Sequence, residues 1–237
     1  MKLSRPVYRL KHRAKKLARA EDIPLNAALD RLAIQEGFTS WSALAAAVPA
    51  VRSAADIHHK LAPGDLLLSA ARPGQGKTLL ALELALAAMR AGHRAFFFSL
   101  EYTDLDMVSR FEALGADVAS FRDRFTFDDS DRISADYVTT RLAGAPAGTL
   151  AVIDYLQLLD QRRENPPLEA QIRALRAHAR RHGHVFVFIA QVDRRFEAAD
   201  RAFPTFADLR LPNALDLGLF DKACFLNAGA VWYAEAV

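Results

Sequence analysis

The chain has 237 residues, of which 51% are hydrophobic, so it carries enough apolar surface for one substantial domain plus a small addition. No apolar run reaches the roughly 18 residues that a membrane span requires, and the basic start of the chain lacks the apolar segment of a secretory signal. The single cysteine, Cys224, excludes an internal disulfide. We therefore expect a cytoplasmic protein that does not contact a membrane.

The net charge of +3 hides a strong asymmetry between the N-terminus and the remainder of the chain. Residues 1–20 contain eight lysines and arginines and no acidic residue, whereas the other residues carry 23 basic and 28 acidic side chains. Any attraction to a polyanion that comes from net charge is therefore concentrated in the first 20 residues.

Residues 1–50 are predicted to form a small basic helical unit. Helical spacing of apolar residues indicates a first helix over residues 3–20, a second over 24–36 and a short third helix that begins near Trp41. Residues 51–60 are then interpreted as a linker, and residues 61–237 as the main domain.

The basic first helix supports two interpretations. It could clamp a nucleic acid, with Lys11, Lys15 and Lys16 neutralising phosphates along one face. It could also be a solvated basic face, or a helix that docks on a neighbouring subunit.

The stretch from Ala71 to Thr78 has the spacing of a phosphate-binding loop, with alanine in the first position. An apolar strand precedes it and a leucine-rich helix follows, which is the structural context that such a loop requires. Gly74 and Gly76 allow backbone N–H groups to turn inward toward a polyphosphate. Lys77 can reach the β- and γ-phosphates, and the Thr78 hydroxyl can bind Mg²⁺.

The sequence therefore predicts ATP and Mg²⁺ as ligands. The residues predicted to bind the nucleotide are Ala71, Arg72, Gly74, Gln75, Gly76, Lys77 and Thr78.

Apolar runs of strand length alternate with helical patterns through the main domain, which is typical of an α/β protein with a mainly parallel central sheet. The predicted strands cover residues 66–70, 94–100, 125–127, 149–153 and 185–190. The predicted helices cover residues 79–90, 102–115, 134–142 and 168–182.

Three polar residues stand where predicted strands end, namely Glu101, Asp154 and Gln191. Active groups of parallel α/β proteins cluster at the carboxyl ends of the strands. Asp154 can hold Mg²⁺ together with Thr78, and Glu101 can deprotonate an attacking water. Gln191 can sense the γ-phosphate. The candidate catalytic residues are therefore Lys77, Glu101 and Gln191.

Three histidines, His178, His182 and His184, lie close together in the sequence without a carboxylate between them. The ligand pattern of a metal site is missing, so they are interpreted as a solvated helix end. Trp232 and Tyr233 are interpreted as part of a terminal edge strand.

The motifs together resemble a known family. Ala-Arg-Pro-x-x-Gly-Lys-Thr at 71–78, Phe-Ser-Leu-Glu at 98–101 and Ile-Asp-Tyr-Leu-Gln-Leu at 153–158 are similar to the C-terminal ATPase domain of DnaB-type replicative helicases, over about residues 61 to 227. The resemblance implies a RecA-like P-loop NTPase fold and an ATP-driven helicase or translocase that acts on DNA.

The resemblance also implies roles for individual residues. Glu101 is similar in position to the catalytic base, and Asp154 to the second Mg²⁺ site. Gln191 would couple nucleotide state to a loop that faces DNA. Arg194 and Arg210 fall at the γ-phosphate-sensing and DNA-loop motifs, which places Arg210 near single-stranded DNA in the channel of a homo-oligomeric ring.

The sequence departs from the family pattern in two places. Residues 211–213 are Leu-Pro-Asn where the family has Glu-Ser-Gly, and Pro212 removes a backbone donor. No basic residue follows Lys222, so the family's terminal Lys-x-Arg strand is not found. These departures motivate an alternative hypothesis, a helicase-derived nucleotide-binding accessory or DNA-binding protein that does not unwind.

Overall fold

The computed structural model describes residues 7–47, 53–121, 123–160, 162, 164–198, 201–211 and 213–235. The chain divides into two compact units. The first comprises residues 1–51 together with 195–203, and the second comprises residues 52–194 together with 204–237. We call them the N-terminal unit and the sheet unit.

Among the residues that the structure describes, the N-terminal unit contains the α-helices α1 (Val7–Ala20), α2 (Leu25–Gln35) and α3 (Trp41–Ala47). Two small apolar clusters hold them together, one centred on Leu10, Ala33 and Leu44 and the other on Ala14, Ala28 and Leu32. These positions recur at the three- and four-residue spacing of a helix face, so each helix buries one side. The predicted helices of this region are confirmed over the described residues.

Over its described residues, the sheet unit is built on seven strands in the order β3-β2-β4-β5-β1-β6-β7. The first six strands are parallel, and β7 is antiparallel to β6. The strands are β1 (Leu66–Ala71), β2 (Ala95–Ser99), β3 (Phe125–Asp128), β4 (Leu150–Asp154), β5 (Val185–Gln191), β6 (Lys222–Asn227) and β7 (Ala230–Glu235). The prediction of a mainly parallel α/β sheet is confirmed.

In the described part of the chain, five α-helices accompany this sheet. They are α4 (Ala54–Lys60), α5 (Lys77–Arg90), α6 (Asp104–Ala113), α7 (Ala135–Arg141) and α8 (Leu168–His182). Helix α5 packs on the central strands and on α4, which explains why it is apolar on nearly every side. Strands β1, β2 and β4 are buried along their whole length, as expected for a parallel sheet covered on both faces.

The segment 51–60 is not the linker that the sequence predicted, because most of it forms α4. The Ser53 hydroxyl caps this helix by accepting a hydrogen bond from the Asp56 N–H at 3.2 Å, and Ile57 is fully buried. The segment is short and mixes polar with apolar residues, so the sequence did not indicate a helix. The helix is stabilised by packing against α5. Residues 51 and 52 lie outside the described part of the chain.

The prediction of a solvated helix end holds for His182, which is exposed at the end of α8, but not for His184, which is buried, and His178 is half-buried. His184 is 1% exposed, and its Nδ1 lies 3.1 Å from Nε2 of His178. Its other ring nitrogen contacts the Ala145 carbonyl at 3.1 Å. The cluster is a packed structural feature where the chain turns from α8 into β5. Within the described ranges, no group of three or more potential ligands is arranged to hold a metal ion.

Strand β7 closes the sheet at the edge next to β6, which confirms the prediction of a terminal edge strand for Trp232 and Tyr233. Cys224 lies fully buried in β6, and burial raises the pKa of its thiol to about 12. No helix in the described ranges is both long and apolar enough to cross a membrane.

Candidate nucleotide site and adjoining arginine groove

The loop between β1 and α5 has the backbone conformation of a phosphate cradle. Gly74 and Gly76 have φ values of +76° and +85°, a region that residues with a Cβ rarely adopt. A Cβ at either glycine would meet nothing within 4 Å, so backbone conformation rather than space selects glycine there. Helix α5 starts at Lys77 without a side-chain cap, which leaves its first N–H groups directed at the loop.

The parallel sheet brings the predicted strand-end residues to one edge. Ser99 and Asp154 are neighbours in the register of β2 and β4, and Ala71 and Gln191 are neighbours in the register of β1 and β5. Because all four strands run in the same direction, their carboxyl ends adjoin the loop that carries Lys77. The arrangement follows from the order of the strands.

Asp154 is the centre of the site. This residue is 1% exposed, and the Thr78 hydroxyl donates a hydrogen bond to its Oδ2 at 3.2 Å. Burial raises the pKa of Asp154 to about 6, and the negative charge of Glu101 acts in the same direction while Lys77 and the Thr78 hydrogen bond oppose it. Lys77, Thr78, Glu101 and Asp154 therefore interact within one site.

These residues fit a Mg²⁺ ion. A buried carboxylate whose ionised form is disfavoured gains stability from a cation, and a hydroxyl next to it adds the oxygen ligand that Mg²⁺ prefers. Mg²⁺ commonly binds through one or two protein oxygens plus substrate phosphates and water. Thr78 and Asp154 beside the phosphate-binding loop therefore provide enough protein ligands for a Mg²⁺ ion that also binds phosphate and water.

Glu101 follows β2 and its side chain is exposed at the sheet edge. The Glu101 N–H donates a hydrogen bond to the hydroxyl of buried Ser99 at 3.1 Å. Helix α6 begins three residues later with a capping box between Thr103 and Asp106. Local hydrogen bonds thus fix the main chain on both sides of Glu101, while its side chain is exposed.

An open groove of about 510 Å³ adjoins the phosphate cradle, and we call it the arginine groove. Its lining is Arg72, Pro73, Gln191, Asp193, Arg194 and Arg210. Three arginines against one aspartate give the groove a positive character that favours an anionic occupant. Arg72 belongs to both sites, because it lies in the phosphate-binding loop and its Nη1 donates to the Val192 carbonyl at 3.0 Å.

The main chain around Arg210 is tied to the end of β5. The Arg210 N–H donates to the Gln191 carbonyl at 2.8 Å, and Leu209 forms an isolated antiparallel bridge with Val192. The Arg210 carbonyl accepts a hydrogen bond from Nε2 of Gln157 at 3.0 Å. The sequence placed Gln157 within the motif at 153–158 without a role and did not single out Asp193, because the contacts that position these residues join segments distant in the chain.

The predicted nucleic-acid residues fall in both units. Arg194 and Arg210 are exposed and line the arginine groove. Lys15 and Lys16 are exposed on α1, while the side chain of Lys11 lies outside the described part of the structure. Pro212 also lies outside it.

The fold and the cradle define the class first: this is a P-loop protein with a RecA-like α/β sheet. Two solved structures share that fold, each over 69% of this chain. One is a DnaB-like replicative helicase described with its interactions with primase. The match has a TM-score of 0.56 and 21% identity, and it covers 47% of the helicase chain. The other is a solved ATPase domain, at a TM-score of 0.53, 22% identity and 69% of its own chain.

Sequence comparison then points to a family. Residues 55–146 match the model of the DnaB-like helicase C-terminal domain. A curated relative, the replicative DNA helicase DnaB of Mycoplasma genitalium, is 28% identical over 189 residues, which is 65% of this chain and 40% of the relative. These matches confirm the resemblance to the C-terminal domain of DnaB-type helicases.

Proposed function

We propose that this chain binds and hydrolyses ATP with Mg²⁺ and uses the reaction to act on DNA as a DnaB-like helicase or translocase domain. The observation that carries the proposal is the hydrogen bond from the Thr78 hydroxyl, in the phosphate-binding loop, to buried Asp154, whose pKa Glu101 and Lys77 both influence. The arginine groove adjoins the same loop. The chain spans 40% of its curated relative's length, so the activity of that whole protein enters as part of the proposal.

In the proposed site, the loop N–H groups and Lys77 bind the phosphates, and Thr78 and Asp154 hold Mg²⁺, which supplies charge neutralisation when bound. Ala71, Arg72, Gly74, Gln75 and Gly76 complete the cradle. The exposed carboxylate of Glu101 orients and deprotonates the attacking water. Because Asp154 is buried and shielded from bulk water, electrostatic interactions between the charges of this site are stronger than they would be in water.

Gln191 is proposed to sense the γ-phosphate. It ends β5 next to Ala71 in the register of the sheet, and its carbonyl holds the Arg210 N–H. A change in the position of Gln191 would therefore be transmitted to the main chain of Arg210, and so to the arginine groove.

The arginine groove is proposed to bind the phosphate backbone of single-stranded DNA through Arg194 and Arg210. Arginine contacts to phosphates supply sequence-independent affinity, which weakens as salt rises. Lys11, Lys15 and Lys16 on α1 are proposed as a second set of phosphate contacts. Assembly into a homo-oligomeric ring and a cytoplasmic location stay predictions.

Steady-state ATP hydrolysis with and without single-stranded DNA tests the proposal. We expect DNA to stimulate turnover, and Lys77→Ala to lower it by about 100-fold or more because a group that stabilises the phosphates is lost. Arg90→Ala, at the exposed far end of the same helix, is the matched control and should behave as the wild type. Turnover that is insensitive both to DNA and to Lys77→Ala would refute the proposal.

A second candidate function is a nucleotide-binding accessory protein that does not unwind DNA. It is motivated by Leu211-Pro212-Asn213, which stand where the family has Glu-Ser-Gly. A strand-displacement assay with ATP and Mg²⁺ separates the two functions. Robust unwinding by the purified chain would rule out the accessory function, whereas ATP turnover without displacement would favour it.

A further inference from the structure

We infer that Gln157 is a positioning residue that fixes Arg210 at the arginine groove and ties it to the segment that follows Asp154. The inference deepens the proposed function and rests on it for the identity of the occupant, single-stranded DNA. Its structural basis is independent of that identity, because it lies in hydrogen bonds between the described residues.

Gln157 projects from a short, well-anchored turn. It lies three residues after Asp154, in a 3₁₀ helix from Leu156 to Asp160 in which Leu156, Leu158 and Leu159 are buried. The Leu158 N–H donates to the Tyr155 carbonyl at 2.8 Å, which closes the turn. Buried leucines on both sides of Gln157 restrain its main chain, so its side chain is presented from a rigid base.

The side-chain amide of Gln157 completes the hydrogen bonding of the Arg210 peptide groups. Its Nε2 donates to the Arg210 carbonyl at 3.0 Å, while the Arg210 N–H donates to the Gln191 carbonyl at 2.8 Å. Arg210 is therefore held from two strand ends, β4 through Gln157 and β5 through Gln191. Fixing the main chain in this way removes backbone freedom that the exposed arginine would otherwise lose on binding an anion.

The chemistry of the contact requires an amide donor. A carbonyl oxygen accepts hydrogen bonds, so glutamate at this position would place a negative charge against it and methionine would offer no donor. The Oε1 atom of Gln157 is buried and has no hydrogen-bond partner among the residues that the structure describes, and the amide contacts Arg210 through Nε2.

The consequence is a path from the nucleotide site to the groove that does not pass through Gln191. The chain runs from Asp154 through Tyr155 and Leu156 to Gln157, and from there by one hydrogen bond to Arg210. A shift of the segment after Asp154 would move the anchor of Arg210. Loss of the Gln157 donor should therefore weaken DNA binding and its effect on ATP turnover.

The test compares Gln157→Met and Gln157→Glu with the control Gln35→Met, which replaces an exposed glutamine at the end of α2. The probe is a fluorescent oligo-dT of about 20 nucleotides at fixed salt. We expect a five- to tenfold loss of affinity for both Gln157 variants and a larger loss for glutamate. The KM for ATP without DNA should stay within about twofold, and the control should match the wild type.

A double-mutant cycle distinguishes positioning from general damage. If Gln157 acts through Arg210, Gln157→Met should have no further effect on DNA affinity in the Arg210→Ala background. Additive losses, or wild-type affinity of Gln157→Met, would overturn the inference. An equal loss of ATP affinity and DNA affinity would show a merely structural role and would also overturn it.

Hydrogen exchange separates failure of this inference from failure of the proposed function. Without DNA, the amides of residues 205–211 should exchange faster in Gln157→Met than in the wild type, because one anchor of the segment is lost. Unchanged exchange there overturns the inference whatever binds in the groove. Wild-type protein that does not bind oligo-dT refutes the DNA part of the proposed function, while faster exchange would still support the positioning role.

Discussion

At the scale of single residues, Asp154 decides what the site can do. A carboxylate that is 1% exposed and next to Glu101 carries an ionisation cost, which the Thr78 hydroxyl and the charge of Lys77 only partly offset. Folding thus places a carboxylate whose ionisation is unfavourable beside the phosphate-binding loop. A bound cation would offset this cost, which connects the burial of one side chain to the proposed Mg²⁺ site.

This cost should appear in the pH dependence of stability without Mg²⁺ or nucleotide. The folded pKa of Asp154, about 6, lies above its ordinary value of 3.8, so the stability that the neutral acid contributes is present below about pH 4 and is lost as the pH rises through 6. Asp154→Asn should therefore stabilise the protein by about 3 kcal/mol at pH 7.5 and have little effect at pH 4. Urea unfolding at several pH values measures this.

The pH dependence of the wild type alone would mix two effects, because the histidine cluster changes stability with pH in the opposite direction from Asp154. The difference in the free energy of unfolding between wild type and Asp154→Asn isolates Asp154. Burial and the neighbouring histidines lower the pKa of His178 to about 4, so its contribution to stability is lost as the pH falls below 6.5. That contribution is common to both proteins. A stability difference between wild type and Asp154→Asn that stays constant from pH 4 to 7.5 would contradict the account.

At the scale of elements, the β6–β7 hairpin is joined to the phosphate-binding loop. Its two-residue turn, Ala228-Gly229, has φ values of +50° and +73°, which is typical of a type I′ turn. The Ala228 N–H donates to Oε1 of Gln75 at 2.8 Å. Alanine in the left-handed conformation costs about 1 kcal/mol. Ala228 is therefore not the optimal residue for this turn.

Ala228→Asn should stabilise the protein by about 0.5–1 kcal/mol, since asparagine tolerates the left-handed region and Asn-Gly favours the type I′ turn. The hydrogen bond to Gln75 uses the main-chain N–H and is retained. Urea unfolding gives the change. Ala230→Asn, the same substitution two residues later in β7, should give no gain, and equal effects at both positions would show that turn conformation is not the cause.

At the scale of the whole molecule, the sequence predicted the sheet because each buried strand is a continuous apolar run. Phe96, Phe97 and Phe98 illustrate this, and the alternation of such runs with helices left a parallel sheet as the expected solution. Asp154 and Glu101 could be predicted as site residues because strand ends converge at one edge. The structure places Asp154 at the end of β4 and Glu101 just after β2, and their roles in the site stay proposals.

The remaining features depend on contacts between distant segments. Helix α4 is stabilised by packing on α5, which its short sequence does not reveal. Gln157 meets Arg210 across 53 positions, and Arg72 meets Val192 across 120. Residues 195–203 belong to the N-terminal unit although they are distant from it in the sequence. No local pattern encodes such pairings, so the arginine groove could be recognised only in three dimensions.

We propose that the arginine groove and the nucleotide site work together on single-stranded DNA. The most direct measurement is ATP turnover as a function of oligo-dT concentration, in the wild type and in the double variant Arg194→Ala/Arg210→Ala. We predict stimulation of the wild type, and in the double variant a shift of at least about tenfold to higher DNA concentration, because two phosphate contacts are lost. Identical DNA dependence of the two proteins, or no stimulation of either, would contradict the account.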